Sequence, residues 1–340
     1  MYIFNNKCNR KFIRGFFQNA SFAILAFTAF AVDTENVWAQ AGQYPGNKPI
    51  RLIVPFAPGG GTDLVARLLS QKLADAMGTT IVVDNRGGAG GSTGIELAVR
   101  AAPDGYTMIF GAASYATNAA LYKLPYDPVK DITPVSLACL SGYLVSVHPS
   151  VPVKSTKELI AYAKQNPGKL NYGSSGVGGL AHLATELFAM MSEVKINHVP
   201  YKGTGPALSD LLGGHIQLVF GSVTATLPHV RANRLRGISL TTAKRSSELP
   251  DVPTIAETVP GYEAVLWYGV WGPKNVPANV VSRWNNEINT ILKAADVKAQ
   301  MVKQGLEPVG GAPAIFRKTL VTDIDKWTKV ARQANLKINQ

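Results

Sequence analysis

The sequence has little cysteine, and this sets a first limit on how the fold is stabilised. Cys8 and Cys139 are the two cysteines among the 340 residues. Cys8 lies in a leader-like segment that we expect to be removed, so Cys139 is left alone. Without an intrachain disulfide, stability must come from a hydrophobic core, which a chain of this length can build.

Beyond the first 39 residues, no apolar run approaches the length of a membrane span. Within those residues, an apolar run at 20–32 follows a basic segment and precedes small residues near Ala39. The basic residues are Lys7, Arg10, Lys11 and Arg14. This pattern is typical of a secretory signal peptide and is too short for a membrane span. We predict cleavage near Ala39 and Gln40, and an exported mature protein.

Acidic residues are fewer than basic ones, 22 against 34, which gives a net charge of +12. A basic balance raises the question of nucleic-acid binding. The densest basic segment, at 231–245, lacks the interleaved aromatic residues that stack on bases. We predict no nucleic-acid partner. The cations form either a solvated surface or a long-range attraction for small anions.

Cofactor and metal motifs are incomplete. The glycines at 59–61 do not complete a dinucleotide fingerprint, because Leu64 stands where the last glycine is needed, and the phosphate-loop lysine is absent. His182 and Glu186 share a predicted helix face, but no third metal ligand lies nearby in the sequence. A satisfied pair on the helix surface is therefore the preferred interpretation. We predict neither a cofactor nor a metal site.

One hydrolase pattern is present. The segment Gly-Gly-Ser-Thr-Gly (90–94) matches a nucleophile elbow with Ser92 as the nucleophile. Such an elbow needs a strand that runs straight into the first glycine, whereas polar and glycine residues intervene at 84–89. A glycine loop that opens a helix is the preferred interpretation, and we expect no enzyme. An exported serine hydrolase that uses Ser92 remains the alternative.

The segment 51–63 carries the main positive signal. Leu52, Ile53 and Val54 predict a short buried strand, which prolines and glycines end, and apolar residues at 64–77 then have helical spacing. A strand that runs through glycines into a helix leaves N–H groups unpaired at the positive end of the helix dipole. This arrangement favours an anion. A tight turn without a ligand is the alternative.

The same order of elements occurs twice along the chain. Strands, glycine loops and helices alternate first around 84–91 and again around 173–179, which predicts two similar α/β domains with mainly parallel sheets. Two long apolar runs, at 132–147 and 264–271, would cross between them. Because ligands bind beyond the carboxyl ends of such strands, we expect a cleft between facing glycine loops.

Motifs distributed over the whole mature chain carry a family resemblance. They are Val-Pro-Phe-Ala-Pro-Gly-Gly-Gly-Thr-Asp (54–63), Asp-Asn-Arg-Gly-Gly-Ala-Gly-Gly (84–91), Pro-Asp-Gly-Tyr (103–106), Tyr-Gly-Ser-Ser-Gly-Val-Gly-Gly (172–179), Val-Pro-Tyr-Lys-Gly (199–203), Asp-Val-Pro-Thr (251–254) and Trp-Tyr-Gly-Val-Trp-Gly-Pro (267–273). Together they resemble the substrate-binding receptors of tripartite tricarboxylate transporters, also called Bug proteins. The resemblance implies a periplasmic receptor for a small organic carboxylate that serves the membrane components of such a transporter.

The resemblance also implies the architecture. We expect a two-domain periplasmic binding protein of the Venus-flytrap, type II-like class, in which each domain is a mixed, mostly parallel sheet flanked by helices. After a signal peptide at 1–39, residues 44–143 with 267–340 would form domain 1, and residues 144–266 domain 2. Two segments would cross between the domains.

The binding residues follow from the same resemblance. In the family, backbone amides of two facing loops and bridging waters hold the ligand carboxylate, with little direct charge pairing. The ligand-binding residues implied here are Phe56, Ala57, Pro58, Gly59, Gly60, Gly61, Asp63, Ser114, Asn118, Ser174, Ser175, Gly176, Gly178, Gly179, His182, Tyr201, Lys202 and Gly203.

Some alternatives stay open at this level. The aromatic residues that either line the cleft or pack the domain junction are Tyr115, Trp267, Tyr268 and Trp271. Arg86 and Lys202 take equivalent places in the two halves, so a cationic clamp competes with capture by amides. We favour amides, because a glycine-rich loop gains nothing if a cation does the binding. The receptor, which we expect to be a monomer, either feeds a transporter or signals.

Overall fold

The computed structural model describes residues 44–333. The predicted signal peptide, its cleavage site and Cys8 lie outside the described residues. From Asn47 onward the chain forms one compact unit. Among the helices of the described part, none is long and apolar enough to cross a membrane.

The strands form two sheets. In chain order they are β1 (Ile50–Val54), β2 (Ile81–Asn85), β3 (Thr107–Ala112), β4 (Ile132–Ser141), β5 (Tyr143–Val147), β6 (Asn171–Ser174), β7 (Asn197–Pro200), β8 (Leu218–Ser222), β9 (Arg236–Leu240), β10 (Leu266–Pro273) and β11 (Glu307–Pro308). The first sheet has the order β11-β4-β10-β3-β1-β2, and the second has the order β7-β6-β8-β5-β9. We call the first sheet with its helices the first lobe, and the second sheet with its helices the second lobe.

Helices flank both sheets. They are α1 (Gly61–Met77), α2 (Ser92–Val99), α3 (Ser114–Leu121), α4 (Thr156–Gln165), α5 (Leu180–Ser192), α6 (Thr204–Leu212), α7 (Val223–Arg231), α8 (Ala278–Lys293), α9 (Ala295–Lys303) and α10 (Pro313–Gln333). The sequence favours continuous helix from Val280 to about Gln304, but Ala294 is extended and separates α8 from α9. The sequence does not predict helix α7, because this helix contains Pro228, and proline normally interrupts a helix.

The two sheets share one arrangement of strands. β1 pairs in parallel with β2 and β3, and β6 pairs in parallel with β7 and β8. Antiparallel β10 lies beside β3, and antiparallel β5 lies beside β8. Each sheet therefore contains one inner strand that the chain forms directly after it leaves the other lobe. This strand is β10 in the first sheet and β5 in the second. The predicted α/β class, with two mixed sheets and crossing segments, is confirmed.

The apolar run at 132–147 is the first crossing. The run divides at Gly142 into β4 of the first sheet and β5 of the second. A Cβ at Gly142 would lie 2.9 Å from Cγ2 of Thr242, so glycine allows the two crossing segments to pass closely. Thr241 links them, because its Oγ1 accepts from the N–H of Tyr143 at 2.8 Å and donates to the carbonyl of Ala264 at 2.8 Å.

Helix α10 closes the core of the first lobe. It packs on β4 and α3. Phe316, Leu320 and Trp327 lie at helical spacing in the sequence, and all three are buried on one face of the helix. Burial of each large side chain contributes about 1.5–3 kcal/mol relative to exposure. This packing gives the strands of the first lobe a rigid backing.

Candidate ligand-binding site

The loops at the carboxyl ends of the parallel strands meet across the two lobes. The N–H of Ala57, after β1, donates to the carbonyl of Lys202, after β7, at 2.9 Å. A Cβ at Gly60 would lie 3.4 Å from the backbone nitrogen of Gly205, so glycine backbone of one lobe contacts glycine backbone of the other. The cleft between the lobes is closed.

Helix α3 makes a second set of contacts with the second lobe. Ser114 Oγ accepts from the N–H of Leu180 at 3.1 Å, and Thr117 Oγ1 donates to the carbonyl of Gly178 at 2.7 Å. Gly178 has a φ of +80°, a conformation that side chains disfavour. The glycine loop before α5 thus presents its backbone to the first lobe.

A small enclosed cavity lies between the lobes. Its volume is about 20 Å³, which is room for about one water molecule. The lining residues are Phe56, Gly60, Gly61, Thr62, Ala112, Ser114, Tyr143, Ser175, Thr204, Ser222, Leu266 and Tyr268. None of these side chains carries a charge. A larger molecule enters only when the lobes move apart or side chains shift.

Four helices begin at this cavity. Gly61 opens α1, Ser114 opens α3, Thr204 opens α6, and Ser222 directly precedes α7. None of these four N-termini has a side-chain cap. The positive ends of four helix dipoles therefore converge on one uncharged cavity, and this favours an anion.

Asp63 holds the first glycine loop from behind the cavity. Its carboxylate accepts hydrogen bonds from the N–H of Gly59, from Arg67 Nε and from Asn85 Nδ2, each at 3.0 Å. Burial raises the pKa of Asp63, but the bonds from Arg67, Gly59 and Asn85 outweigh burial and hold the pKa below its usual value. Because both carboxylate oxygens accept these hydrogen bonds, Asp63 stabilises the glycine loop.

The structure brings part of the predicted binding set to the cavity. Those that line it are Phe56, Gly60, Gly61, Ser114 and Ser175. Those that line grooves at the outer rim of the closed cleft are Ala57, Pro58, Gly59, Gly176, Tyr201 and Lys202. Gly178, Gly179 and Gly203 lie in close backbone packing around the cleft; a Cβ at Gly203, for example, would lie 2.9 Å from the nitrogen of Ala57.

Asn118 and Ser174 brace the loops that close the cleft. Asn118 Nδ2 donates to the carbonyl of Gly90 at 3.1 Å, and its buried Oδ1 has no hydrogen-bond partner within the described residues. Ser174 Oγ accepts from the N–H of Gly176 at 3.0 Å. Neither side chain is among the residues that line the cavity.

His182 is buried and forms an imidazole pair with the half-buried His198. Its ring stacks on His198, with 4.2 Å between the ring centroids, and its Nδ1 accepts from the N–H of Gly178 at 3.3 Å. Burial lowers the pKa of His182 to about 4, and burial with the neighbouring His182 lowers the pKa of His198 to about 3. The predicted surface pair with Glu186 is wrong, because His182 is buried and Glu186 accepts from the Tyr172 hydroxyl.

Cavity residues outside the predicted set are Thr62, Ala112, Tyr143, Thr204, Ser222, Leu266 and Tyr268. A signal existed for Ser222, since the segment that ends there repeats the segment that ends at Ser114. The sequence leaves open whether Tyr268 lines the cleft or packs the domain junction. In the structure it lines the cavity. Trp267 and Trp271 instead pack against Phe316.

The hydrolase alternative finds no support in the geometry. Ser92 opens α2, and its buried Oγ makes no hydrogen bond within residues 44–333. A serine nucleophile needs a general base in hydrogen-bond reach. In the described part of the chain, no cluster of histidine, cysteine or acidic residues is arranged to hold a metal ion either.

Comparisons with known proteins identify the family and support the fold. The profile of the tripartite tricarboxylate transporter family receptor matches residues 65–336. BugT of Bordetella pertussis is 35% identical over 321 residues, which cover 93% of this chain and 98% of BugT. Two solved structures from Rhodopseudomonas palustris are also similar. Rpa4515 with adipate has a TM-score of 0.83 and 38% identity, and covers 86% of this chain and 99% of its own.

The second structure, MatC with bound malate, has a TM-score of 0.80 and 30% identity, and covers 84% of this chain and 99% of its own. These similarities confirm the predicted two-lobed fold, and the profile match confirms the resemblance of the motifs. The chain therefore belongs to the tripartite tricarboxylate transporter receptor family.

Proposed function

We propose that this protein is an exported, periplasmic receptor that captures a small organic carboxylate between its two lobes. It passes the ligand to the membrane components of a tripartite tricarboxylate-type transporter, and it acts without catalysis. The observation that carries the proposal is the convergence of four uncapped helix N-termini on one cavity without charged lining residues.

The ligand charge is met by neutral donors. Backbone N–H groups at the starts of α1, α3, α6 and α7 surround the cavity together with serine, threonine and tyrosine hydroxyls. Each helix N-terminus stabilises an anion by about 0.3–2 kcal/mol, and most strongly where water is excluded. Because these dipoles are fixed by the fold, binding a carboxylate does not require a long side chain to be ordered.

Ligand capture requires the lobes to open and close. A cavity of about 20 Å³ is far smaller than an acid such as malate or adipate. The bonds from Ala57 to Lys202 and from Thr117 to Gly178 join the lobes in the closed state. We place the hinge where the crossing segments pass at Gly142 and Thr241, near the proposed domain boundaries at 143/144 and 266/267.

Isothermal titration calorimetry of the purified mature chain with malate and adipate tests the proposal. We expect binding of one acid per chain, no binding of the matching diamide, and recovery of the acid unchanged. Small-angle scattering should show a more compact molecule with ligand than without it. Chemical turnover of the acid, or failure of a broad carboxylate panel to bind, contradicts a receptor role.

Delivery to a transporter has its own test. Cells that lack this receptor should lose uptake of the radiolabelled acid, and the plasmid-borne gene should restore it. Uptake that is unchanged, together with a changed transcriptional response to the acid, would favour a signalling receptor instead.

A further inference from the structure

Two buried hydroxyl groups face the cavity from opposite lobes. Tyr268 belongs to β10 of the first lobe, and Ser222 ends β8 of the second. Tyr268 is 0% exposed and Ser222 is 2% exposed. Both residues line the cavity, yet neither hydroxyl makes a hydrogen bond of normal geometry within the described residues. The cavity thus has unused hydrogen-bonding groups on both of its sides.

The two hydroxyls meet at the start of α1. A Cβ at Gly61 would collide with the oxygen atoms of both Tyr268 and Ser222. Glycine at this position therefore lets both hydroxyls approach the first turn of α1 closely. The cavity that both hydroxyls line has room for about one oxygen atom that could accept from both lobes.

Buried hydroxyls without partners are rare in native proteins, because each costs about 1–3 kcal/mol. Burial raises the pKa of Tyr268 well above its ordinary value, and Tyr143 and Cys139 nearby act in the same direction, while the Ser222 hydroxyl acts against it. The phenol therefore keeps its proton and is a hydrogen-bond donor at every physiological pH. A carboxylate oxygen is the acceptor that suits such a group.

We infer that Tyr268 and Ser222 are specificity-determining residues that hydrogen-bond one oxygen atom of the bound carboxylate from opposite lobes. This inference rests on the proposed function. It adds a physical link between ligand and closure, because the ligand oxygen joins the first lobe to the second. In the open protein, water satisfies both hydroxyls. In the ligand-bound protein, one carboxylate oxygen takes the place of that water.

The variants Tyr268→Phe and Ser222→Ala test the inference, with malate and adipate as probes in calorimetry. Each variant should weaken binding by about tenfold or more, as loss of a hydrogen bond to a charged group does. The melting temperature without ligand should change little, because the variants remove only the weak interaction between the two hydroxyls. If both hydroxyls bind one oxygen, the double variant should lose less than the product of the two single losses.

Matched controls are present in the same chain. Tyr126→Phe and Ser239→Ala remove hydroxyls that are also buried and without a partner in the described residues, but that do not line the cavity. Both controls should bind the probes like the wild type. Equal losses in the controls and in the cavity variants would show a general effect of buried hydroxyls and overturn the inference.

The outcomes separate this inference from the proposed function. If the wild type binds malate or adipate and both cavity variants stay within about threefold of it, less than 1 kcal/mol, the inference alone is wrong. If the wild type binds neither these probes nor any other carboxylate, both are wrong. Loss of binding that comes with a fall of several degrees in the ligand-free melting temperature shows a structural role and also overturns the inference.

Discussion

The backbone N–H of Ala57 donates to the carbonyl oxygen of Lys202 at 2.9 Å, and this bond joins the glycine loops of the two lobes. Because both partners are main-chain atoms, the ammonium group of Lys202 takes no part in it. Arg86, the equivalent cation of the first lobe, pairs with Asp84 at 2.8 Å. Neither cation lines the cavity. This relationship favours capture by neutral donors over a cationic clamp.

The variants Arg86→Ala and Lys202→Ala should therefore have small effects on ligand affinity. We expect each to weaken binding of malate or adipate by less than about tenfold, or about 1.4 kcal/mol. Lys130→Ala removes an exposed cation that pairs with Asp127 and serves as the control. Calorimetry of all three proteins checks this prediction. A loss of several hundredfold in either cleft variant would support the clamp instead.

Two neighbouring glycines should differ sharply in their tolerance of a methyl group. A Cβ at Gly61 would collide with the hydroxyls of Tyr268 and Ser222, whereas a Cβ at Gly60 would meet Thr204 and Gly205 at 3.4–3.5 Å. Neither glycine has a positive φ, so backbone strain does not separate them. We expect Gly61→Ala to weaken binding by well over about tenfold and Gly60→Ala by less.

The matched pair of glycine variants is read by calorimetry and by small-angle scattering with saturating ligand. Gly61→Ala should also stay less compact, because the methyl group holds Tyr268 and Ser222 apart. Gly60→Val, whose branched side chain would press on Gly205 of the other lobe, should weaken binding more than Gly60→Ala. Equal affinities for Gly61→Ala and the wild type would show that ligand does not occupy the space beside Gly61.

The first glycine loop was predictable because its signals are local. A short apolar run, prolines, glycines and a helical spacing lie next to one another in the segment that ends at Asp63, and the structure shows β1 and α1 there. The pairing of α/β halves was predictable from the repeat. In contrast, the role of Asp63 behind the loop depends on Asn85 of the next strand, which no local pattern reveals.

Local patterns did not predict most of the remaining cavity residues, although the internal repeat gave a signal for Ser222. Tyr268 reaches the cavity because β10 inserts between β3 and β4, and Ser222 faces it because β8 ends there. The placement of Tyr268 depends on the return of the chain from the second lobe into the first, which is a long-range relationship. His182 was assigned to a helix surface because helical spacing shows which residues share a face, and not which face is covered.

The receptor should discriminate strongly against ligands that carry an ammonium group. The cavity has no carboxylate in its lining, and the Asp63 carboxylate behind it is engaged by Arg67, Asn85 and Gly59. An ammonium group in the closed cleft would be unpaired and would face the positive ends of helices, which costs several kcal/mol. If malate binds, we expect aspartate, which replaces its hydroxyl with an ammonium, to bind at least about a hundredfold more weakly.

Competition calorimetry with malate and aspartate measures this discrimination. Succinate, which has neither group, is the control that separates loss of the hydroxyl from gain of the ammonium. It should bind better than aspartate. Aspartate binding within about threefold of malate would mean that a charged acceptor enters the cavity on closure.

The imidazole pair should make stability depend on pH. His182 and His198 have pKa values lowered to about 4 and about 3, whereas an unfolded histidine titrates near 6.5. Between pH 6.5 and pH 4 the unfolded chain therefore binds more protons than the folded chain. The free energy of unfolding must then rise with pH in this window. The stabilisation is complete above pH 6.5 and is lost progressively as the pH falls toward the folded pKa values.

Urea unfolding at several pH values from 7.5 to about 4.5 measures this slope, and a window above about pH 4.5 limits the contribution of most carboxylates. The variant His182→Phe keeps a ring against His198 but cannot titrate, so its slope should be smaller than that of the wild type. His215→Phe removes a histidine outside the stacked pair, after α6, and is the control for replacing a histidine by phenylalanine. Protonation of His182 also removes the acceptor for the N–H of Gly178, whose carbonyl bonds Thr117 of the first lobe. The closed state should therefore weaken as the pH falls toward about 4, where folded His182 is protonated. Equal slopes in His182→Phe and the wild type would contradict this role of the pair.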